Sequence, residues 1–171
     1  MKSAPKSVAK VVVLENNDPI FAETEAIKSR IRQRAFELSQ VRPRDASELY
    51  DWMAAEAEII SVPRVKLIEK EGIFELKFAL AGVNPEEVNV MVTPDRILIK
   101  SEYTEQPESG EGTVHFSDFK SSTVFRSVNL PERIDTTRVK VDFEDGLLRV
   151  TVAKEGAPAR KAPAKKSRAK Q

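Results

Sequence analysis

The chain of 171 residues has no cysteine and only one histidine. Without cysteine there can be no disulfide, no thiol nucleophile and no cysteine-ligated metal, which suits a reducing compartment, so we expect a cytoplasmic protein. A single histidine and no H-E-x-x-H spacing also argue against a zinc site. We interpret His115 as a surface or hydrogen-bonded histidine rather than a catalytic one.

Motifs for nucleotide binding and for hydrolysis are also missing. The sequence contains no G-x-x-x-x-G-K-[ST], no G-x-G-x-x-G and no G-x-S-x-G. The adjacent carboxylates Glu86-Glu87 and Glu144-Asp145 fall at predicted turns, where solvated side chains are a simpler interpretation than an acid–base pair. We therefore predict that the protein is not an enzyme and that it uses no cofactor and no metal.

Long apolar runs are absent as well. None approaches the roughly 20 residues that a membrane-spanning helix needs, so we expect no membrane partner. The first apolar stretch, Val8–Leu14, is interrupted by Lys10, and no small-residue cleavage site of a signal peptide follows it. We interpret residues 1–17 as a flexible leader, in which Val8–Leu14 is either a short adhesive segment or simply disordered.

The net charge of +1 is unevenly distributed. Lys and Arg less Asp and Glu give −1 for residues 1–61, −4 for 62–153 and +6 for 154–171. Residues 155–171 consist largely of Ala, Pro, Lys and Arg, which predicts a disordered tail. Such a tail can bind phosphate groups, but it has no aromatic residue for base stacking and it adjoins an acidic body. We interpret it as solubilising and do not expect a nucleic acid partner.

Residues 18–61 show the pattern of an α-helical hairpin. Asp18 can cap a helix that has Pro19 at its first position, and Arg42-Pro43-Arg44 ends it. Asp45 and Glu48 have the spacing of a capping box for a second helix. Each helix carries an apolar stripe: Ile20, Ile27, Ile31, Ala35 and Leu38 on the first, and Leu49, Trp52, Met53, Ala57 and Ile60 on the second. Such stripes either close the hairpin or contact a partner protein, and the candidate contact residues are Ile27, Ile31, Leu49 and Trp52.

In residues 62–154 the apolar side chains recur with the period of two that is typical of β-strands. Apolar residues alternate in two segments, at Val88, Val90 and Val92 and again at Val139, Val141 and Phe143. A two-residue turn, Asp145-Gly146, follows the second segment. The unbroken run Ile97-Leu98-Ile99 predicts a strand that is buried on both faces. About eight short strands in two antiparallel layers predict a mainly β protein, an immunoglobulin-like sandwich preceded by the helical hairpin.

The end of this region resembles the alpha-crystallin domain of small heat-shock proteins. The resemblance rests on a strand that ends in Leu-Pro and on a later hairpin with a G-x-L pattern, closed by Lys154. The matching structural residues are Arg126, Leu130, Pro131, Gly146 and Leu148. We interpret Arg126 as a paired arginine that stabilises the fold, since an unpaired buried charge is costly.

The resemblance implies a chaperone of the stress response. It suggests an ATP-independent holdase that binds partly unfolded client proteins and that forms a homodimer or a larger homo-oligomer. A short strand at Val114, His115 and Phe116 would pair with the partner subunit. A groove between the strand of Val88, Val90 and Val92 and the strand of Val139, Val141 and Phe143 would bind clients or partners. The I-x-I or I-x-V anchor that usually fills this groove is missing from the tail, so we expect the groove to be open.

The helical hairpin resembles a short bacterial module of unknown function. The matching residues are Ile31, Arg34, Ala35, Phe36, Glu37 and Leu38, followed by Asp51, Trp52, Ala55 and Glu56. This second resemblance implies no chemistry. The alternative to the holdase is therefore a non-chaperone adaptor that binds one specific partner through the hairpin or through an edge of the sandwich.

Overall fold

The computed structural model describes residues 9–43, 47–103, 112–113, 115–116 and 122–159. In these ranges two α-helices precede most of the β-structure. The elements are β1 (Lys10–Val13), α1 (Pro19–Val41), α2 (Glu48–Ile59), β2 (Ile60–Ser61), β3 (Val65–Lys70), β4 (Ile73–Ala79), a short 3-10 helix (Pro85–Glu87), β5 (Asn89–Thr93), β6 (Arg96–Tyr103), β7 (Ser122–Asn129), β8 (Ile134–Glu144) and β9 (Leu147–Lys154). No helix among the described residues is long and apolar enough to cross a bilayer.

The strands form two sheets that pack face to face. The first sheet has the order β1-β5-β6-β7-β2, and the second has the order β3-β4-β9-β8. Between them lies an apolar core whose fully buried members include Phe74, Leu76, Phe78, Val90, Ile97, Leu148 and Val150. The predicted β-sandwich with a preceding pair of helices is confirmed.

The turn between β8 and β9 has the predicted form. Asp145 (φ 53°) and Gly146 (φ 74°) both adopt positive φ, as a two-residue hairpin turn of this kind requires, and Glu144 pairs with Leu147 across it. The Leu80 backbone N–H donates to the Gly146 carbonyl at 2.8 Å. A Cβ atom at Gly146 would lie only 3.0 Å from the Ala81 Cα atom. The hairpin therefore packs against the end of β4 in a way that leaves no room for a side chain.

The central strand β6 is buried on both faces, as the run Ile97-Leu98-Ile99 predicted. Ile97 and Ile99 belong to the core between the sheets, whereas Leu98 packs in a second apolar cluster on the outer face of the first sheet. That outer cluster also contains Met91 of β5 and Phe125 of β7. The helices supply its other side, and α1 contributes Ile20, Ile27 and Ile31. The helical hairpin is thus packed on the sandwich.

Helix α1 follows the prediction closely. The Asp18 side chain accepts a hydrogen bond from the Ile20 backbone N–H at 3.0 Å, and Pro19 occupies the first helical position. The helix ends at Val41, next to the predicted stop at Arg42-Pro43-Arg44. Ile20, Ile27 and Ile31 are buried, so this stripe faces the protein interior.

The predicted cap of α2 is wrong, and the predicted stripe is wrong except for Trp52 and Ile60, which pack in the outer cluster. Ser47 caps the helix by accepting from the Tyr50 N–H, whereas Asp45 lies outside the described residues. The buried face carries Asp51 and Ala55, with Trp52 and Ile59 partly buried beside them. Leu49, Met53 and Ala57 of the predicted stripe are exposed, and Ile60 begins β2. The buried face is thus formed by a small alanine and by an aspartate that pairs with Arg42 at the end of α1, not by the larger apolar side chains.

The expected flexible leader is also corrected for residues 10–13, which form β1. This strand runs parallel to β5 in the register Lys10↔Asn89 to Val13↔Val92. The Lys10 and Leu14 N–H groups donate to the carbonyls of Val88 (3.1 Å) and Val92 (2.9 Å). Three consecutive valines favour an extended backbone, and the edge of β5 offers it hydrogen-bond partners.

We predict that Gly146→Ala destabilises the protein by about 1–3 kcal/mol, because alanine disfavours positive φ and its Cβ would press against Ala81. The measurement is the free energy of unfolding in urea. Gly82→Ala is the matched control, since Gly82 also has positive φ (81°) but a Cβ there would meet nothing within 4 Å. Equal losses in the two variants would show that the contact with Ala81 is unimportant.

A second prediction concerns the ion pair between Arg42 and Asp51, whose Nε and Oδ2 atoms are 2.8 Å apart. The Asp51 side chain is only 5% exposed. Asp51→Ala should destabilise the hairpin by about 3 kcal/mol, because it leaves the Arg42 charge largely desolvated without a partner. Trp52, the only tryptophan, reports hairpin unfolding by fluorescence. Lys28→Ala removes the exposed pair with Glu25 and should cost less than about 0.5 kcal/mol; a similar cost for both variants would contradict the prediction.

Candidate interaction surfaces

The predicted open groove beside β5 is corrected by the structure. Val88, Val90 and Val92 have no exposed surface, because they belong to the core between the sheets. The free edge of β5, which would be the wall of that groove, is paired with β1. The three valines therefore hold the sandwich together and do not face a partner.

The opposite wall of the predicted groove is accessible in part. Val139, Val141 and Phe143 of β8 are half-buried and pack against the rim of the core. On the other side, register places Val11 and Val13 on the same face of the first sheet as the core valines of β5. Val11 is 38% and Val13 is 53% exposed. Val11 and Val13 are thus exposed apolar residues on β1, which occupies the edge of the first sheet beside β5.

The predicted exchange strand lies at the limit of the described residues. Val114 is outside them, and His115 and Phe116 are exposed and not in a strand within this single chain. Phe116 is 83% exposed. In the second sheet, β3 is an edge strand whose only neighbour among the described strands is β4. Pairing of the Val114–Phe116 segment with a partner subunit stays a prediction.

The residues of the Leu-Pro and G-x-L patterns differ in how deeply they are buried. Leu148 is fully buried in the core, and Leu130 is 9% exposed at its edge, where its N–H donates to the Asp95 carbonyl at 2.8 Å. Pro131 is exposed. Arg126 is half-buried on β7, opposite Ile99 of β6, and its role as a paired arginine stays a prediction.

Lys154 joins three parts of the sandwich where β9 ends. Its ammonium group hydrogen-bonds Glu69 of β3 and, at 2.9 Å, Glu132 between β7 and β8. The hydrogen bond to Glu69, and then that to Glu132, raises the pKa of Lys154. The same ammonium lies 4.9 Å from the centre of the Phe74 ring. These contacts join the end of β9 to β3, to β4 and to the segment between β7 and β8.

The helical hairpin presents an apolar surface to solvent that the sequence indicated only in part. On α2, the side chains of Leu49, Tyr50 and Met53 are 68%, 67% and 62% exposed. Phe36 on α1 is 66% exposed. Leu49 was a predicted contact residue and Met53 a member of the predicted stripe, whereas Tyr50 was missed because it lies outside that stripe. Helical spacing places Leu49 and Met53 one turn apart, so they present one continuous surface.

A hollow of about 920 Å³ opens beside β8 and β9 and is lined by residues including Val139, Thr151 and Ala153. No group of three His, Asp or Glu side chains in the described part of the chain is placed to hold a metal ion. One polar hollow of about 300 Å³ opens beside the β5–β6 turn and is lined by residues including Asn16, Thr93, Asp95, Arg96 and Arg133. The candidate interaction surfaces are the exposed apolar residues of β1, Val11 and Val13, and the exposed face of α2.

Comparison with known proteins supports the interpretation of the sandwich. A profile of the Hsp20/alpha crystallin family matches residues 66–168. The alpha-crystallin of Mycobacterium tuberculosis is 37% identical over 94 residues, which cover 54% of this chain and 62% of that protein. The 17.8 kDa class I heat shock protein of Arabidopsis thaliana is 32% identical over 114 residues, covering 66% of this chain and 73% of that protein.

A solved structure gives the same result. Heat shock protein 16.0 from Schizosaccharomyces pombe superimposes with a TM-score of 0.50 and 27% identity, over 60% of this chain and 94% of that one. The aligned region thus spans less than two thirds of the mycobacterial relative, and the helical hairpin lies outside the family profile. The sandwich, its Asp145-Gly146 hairpin and the profile match agree: the chain belongs to the Hsp20/alpha crystallin family, the small heat-shock proteins.

Proposed function

We propose that this protein is an ATP-independent holdase, which binds partly unfolded client proteins and suppresses their aggregation. The observation that carries the proposal is the family match over residues 66–168, because family membership supports a chaperone role in general. The holdase step itself needs no covalent chemistry. It requires only that the exposed apolar segments of a client bind to an apolar surface of the chaperone before they bind to one another. The proposed compartment is the cytoplasm.

The exposed side chains of the hairpin support this proposal. Leu49, Tyr50 and Met53 form an apolar face on α2 that nothing in the described part of the chain covers. Apolar faces of this kind on a folded protein commonly mark interaction sites. Val11 and Val13 of β1 offer a second, smaller surface of the same character. We propose that clients contact these two surfaces and that the chain forms a homodimer or a larger homo-oligomer.

The alternative function is a specific adaptor, for which the same α2 face would bind one partner. The two functions differ in breadth, because a holdase recognises exposed apolar segments that all unfolding proteins share. An adaptor recognises one folded surface. The choice between them therefore depends on how many unrelated proteins the chain protects.

We predict that the chain, at equimolar ratio and without ATP, suppresses light scattering by several unrelated heat-labile enzymes. An inert protein of similar size at the same concentration is the control for non-specific effects of added protein. Addition of ATP should change nothing. Suppression for none of the enzymes would reject the holdase, and protection of one enzyme alone would favour the adaptor.

The role of the exposed α2 face in client binding can be tested with the double variant Leu49→Ser/Met53→Ser. Both side chains are more than 60% exposed, so the fold should persist, whereas loss of their apolar surface should weaken client binding about tenfold. The measurement is the chain concentration that halves client aggregation. Val41→Ser is the matched control, because Val41 is 80% exposed at the end of α1 and lies off this face. An unchanged half-point in the double variant would exclude α2 as a client contact.

A further inference from the structure

The polar hollow of about 300 Å³ lies where three connecting segments meet at one end of the first sheet. Its lining comes from the link between β1 and α1 with the start of α1, from the turn between β5 and β6, and from the link between β7 and β8. It carries two arginines, Arg96 and Arg133, and one carboxylate, Asp95. The charged groups of the hollow are therefore cationic in sum.

Backbone hydrogen bonds hold the three segments of the hollow together. Just after β1, the Leu14 N–H donates to a carbonyl of β5 at 2.9 Å. In the link between β7 and β8, the Leu130 and Ile134 N–H groups donate to the turn carbonyls of Asp95 and Pro94, both at 2.8 Å. The hollow is thus built into the fold, and a preformed site loses little conformational entropy when a ligand binds.

Arg96 is a half-buried cation without an ion-pair partner among the described residues. Alternation along β6 places Arg96 and Lys100 on the outer face, the face on which Leu98 packs in the outer cluster. Lys100 pairs with Glu23 of α1 and with Glu102. The Arg96 Nε atom, by contrast, is buried without a hydrogen bond. Because a desolvated cation without a counter-charge is costly, an anionic ligand in the hollow would stabilise Arg96.

Arg133 and Asn16 add donors from two other sides of the hollow. The Arg133 Nε atom lies 3.0 Å from Glu155 Oε2, but the two side chains are 66% and 61% exposed. Such a pair contributes little to stability, so Arg133 can turn towards a ligand. Donors on three sides suit a tetrahedral oxyanion, whereas a carboxylate presents only two oxygens in one plane. The arrangement therefore favours a phosphate group.

An apolar wall extends the hollow beyond the space that a phosphate group fills. Phe21, in the first turn of α1, and Pro94, in the turn between β5 and β6, both line it. The Phe21 ring is half-buried and packs against the outer cluster, which fixes its position. A volume of about 300 Å³ lies at the lower end of the range for small-ligand pockets. It has room for one organic ring beside the phosphate group.

We propose that this hollow is a binding site for phosphate monoesters. Arg96 and Arg133 would bind the phosphate group, with the Asn16 amide as a further donor. The organic group of the ester would pack against Phe21 and Pro94. The site is separate from the apolar surfaces of α2 and β1, so the inference does not rest on the proposed holdase function.

The test is isothermal titration calorimetry of the full chain with phenyl phosphate at constant ionic strength. Inorganic phosphate should bind about tenfold more weakly, because it makes no contact with Phe21 and Pro94. Adenosine monophosphate and ribose 5-phosphate then distinguish a nucleotide from a sugar phosphate as the natural source of the ester. Absence of saturable heat with every probe would overturn the proposal. Equal affinities for phenyl phosphate and inorganic phosphate would overturn the assignment of an ester.

Arg96→Gln should weaken the binding of phenyl phosphate at least about tenfold, because it removes charge-assisted hydrogen bonds. Arg64→Gln is the matched control, since Arg64 is exposed and does not line the hollow, and its affinity should equal that of the unmodified chain. Arg133→Gln, at an exposed position that tolerates substitution, should weaken binding about threefold and provides the test if Arg96→Gln fails to fold. Unchanged affinity in folded Arg96→Gln, or in Arg133→Gln where Arg96→Gln does not fold, would reject the site.

Asp95→Asn should have the opposite effect. The Asp95 carboxylate lines the hollow and accepts a hydrogen bond from Thr93 Oγ1 at 2.8 Å. Asparagine keeps an acceptor for that bond but removes the negative charge, so the affinity for phenyl phosphate should rise about threefold. Asp142→Asn makes the same change in net charge at an exposed position of β8 and should leave the affinity unchanged. Equal increases in the two variants would show that the net charge attracts the probe, and the site would be rejected.

Discussion

The structure depends on one constraint, which is that the first sheet is apolar on both faces. The inner face packs on the second sheet through residues such as Val90, Ile97 and Ile99. The outer face, with Met91, Leu98 and Phe125, has no second sheet to pack on and is covered by the helical hairpin. Because burial of apolar surface is the main favourable contribution to folding, the hairpin and sandwich are joined by the same force that forms each of them.

This constraint explains why a segment outside the family profile is integrated with the sandwich. The hairpin does not project from the domain as an independent module, since its stripe of Ile20, Ile27 and Ile31 needs the sheet for burial. In turn, the sheet gains two outer strands that close the edges of β5 and β7. Unpaired strand edges attract other chains, so their closure bears directly on when and where the protein interacts.

Much of this arrangement could be predicted from local sequence. The alternation in Val139, Val141 and Phe143, the Asp145-Gly146 turn and the cap at Asp18 each depend on near neighbours, and the structure confirms them. The uninterrupted Ile97-Leu98-Ile99 run correctly indicated burial on two faces. Local sequence carries less information about which distant element packs on a given apolar face.

Apart from the cap of α2, the incorrect predictions involve that longer range. Alternation could not tell whether Val88, Val90 and Val92 faced a groove or the core, because both are apolar surroundings. For α2, hydrophobicity favoured Leu49 and Met53 as the packed face, but Asp51 and Ala55 are the buried residues, and Arg42 pairs with Asp51 as Arg34 of α1 pairs with Glu58. The pairing of β1 with β5 joins residues such as Lys10 and Asn89, which no local pattern connects.

The same long-range pairing has a consequence for synthesis on the ribosome. Ile60 pairs with Thr123, and Lys10 pairs with Asn89, so the N-terminal segment leaves the ribosome well before the strands that it contacts. At typical elongation rates the delay is several seconds, roughly 3–16 s. During that interval the apolar stripe of α1 has no sheet to cover it. The nascent chain of this protein therefore presents, for a short time, the kind of surface that its folded form is proposed to protect in others.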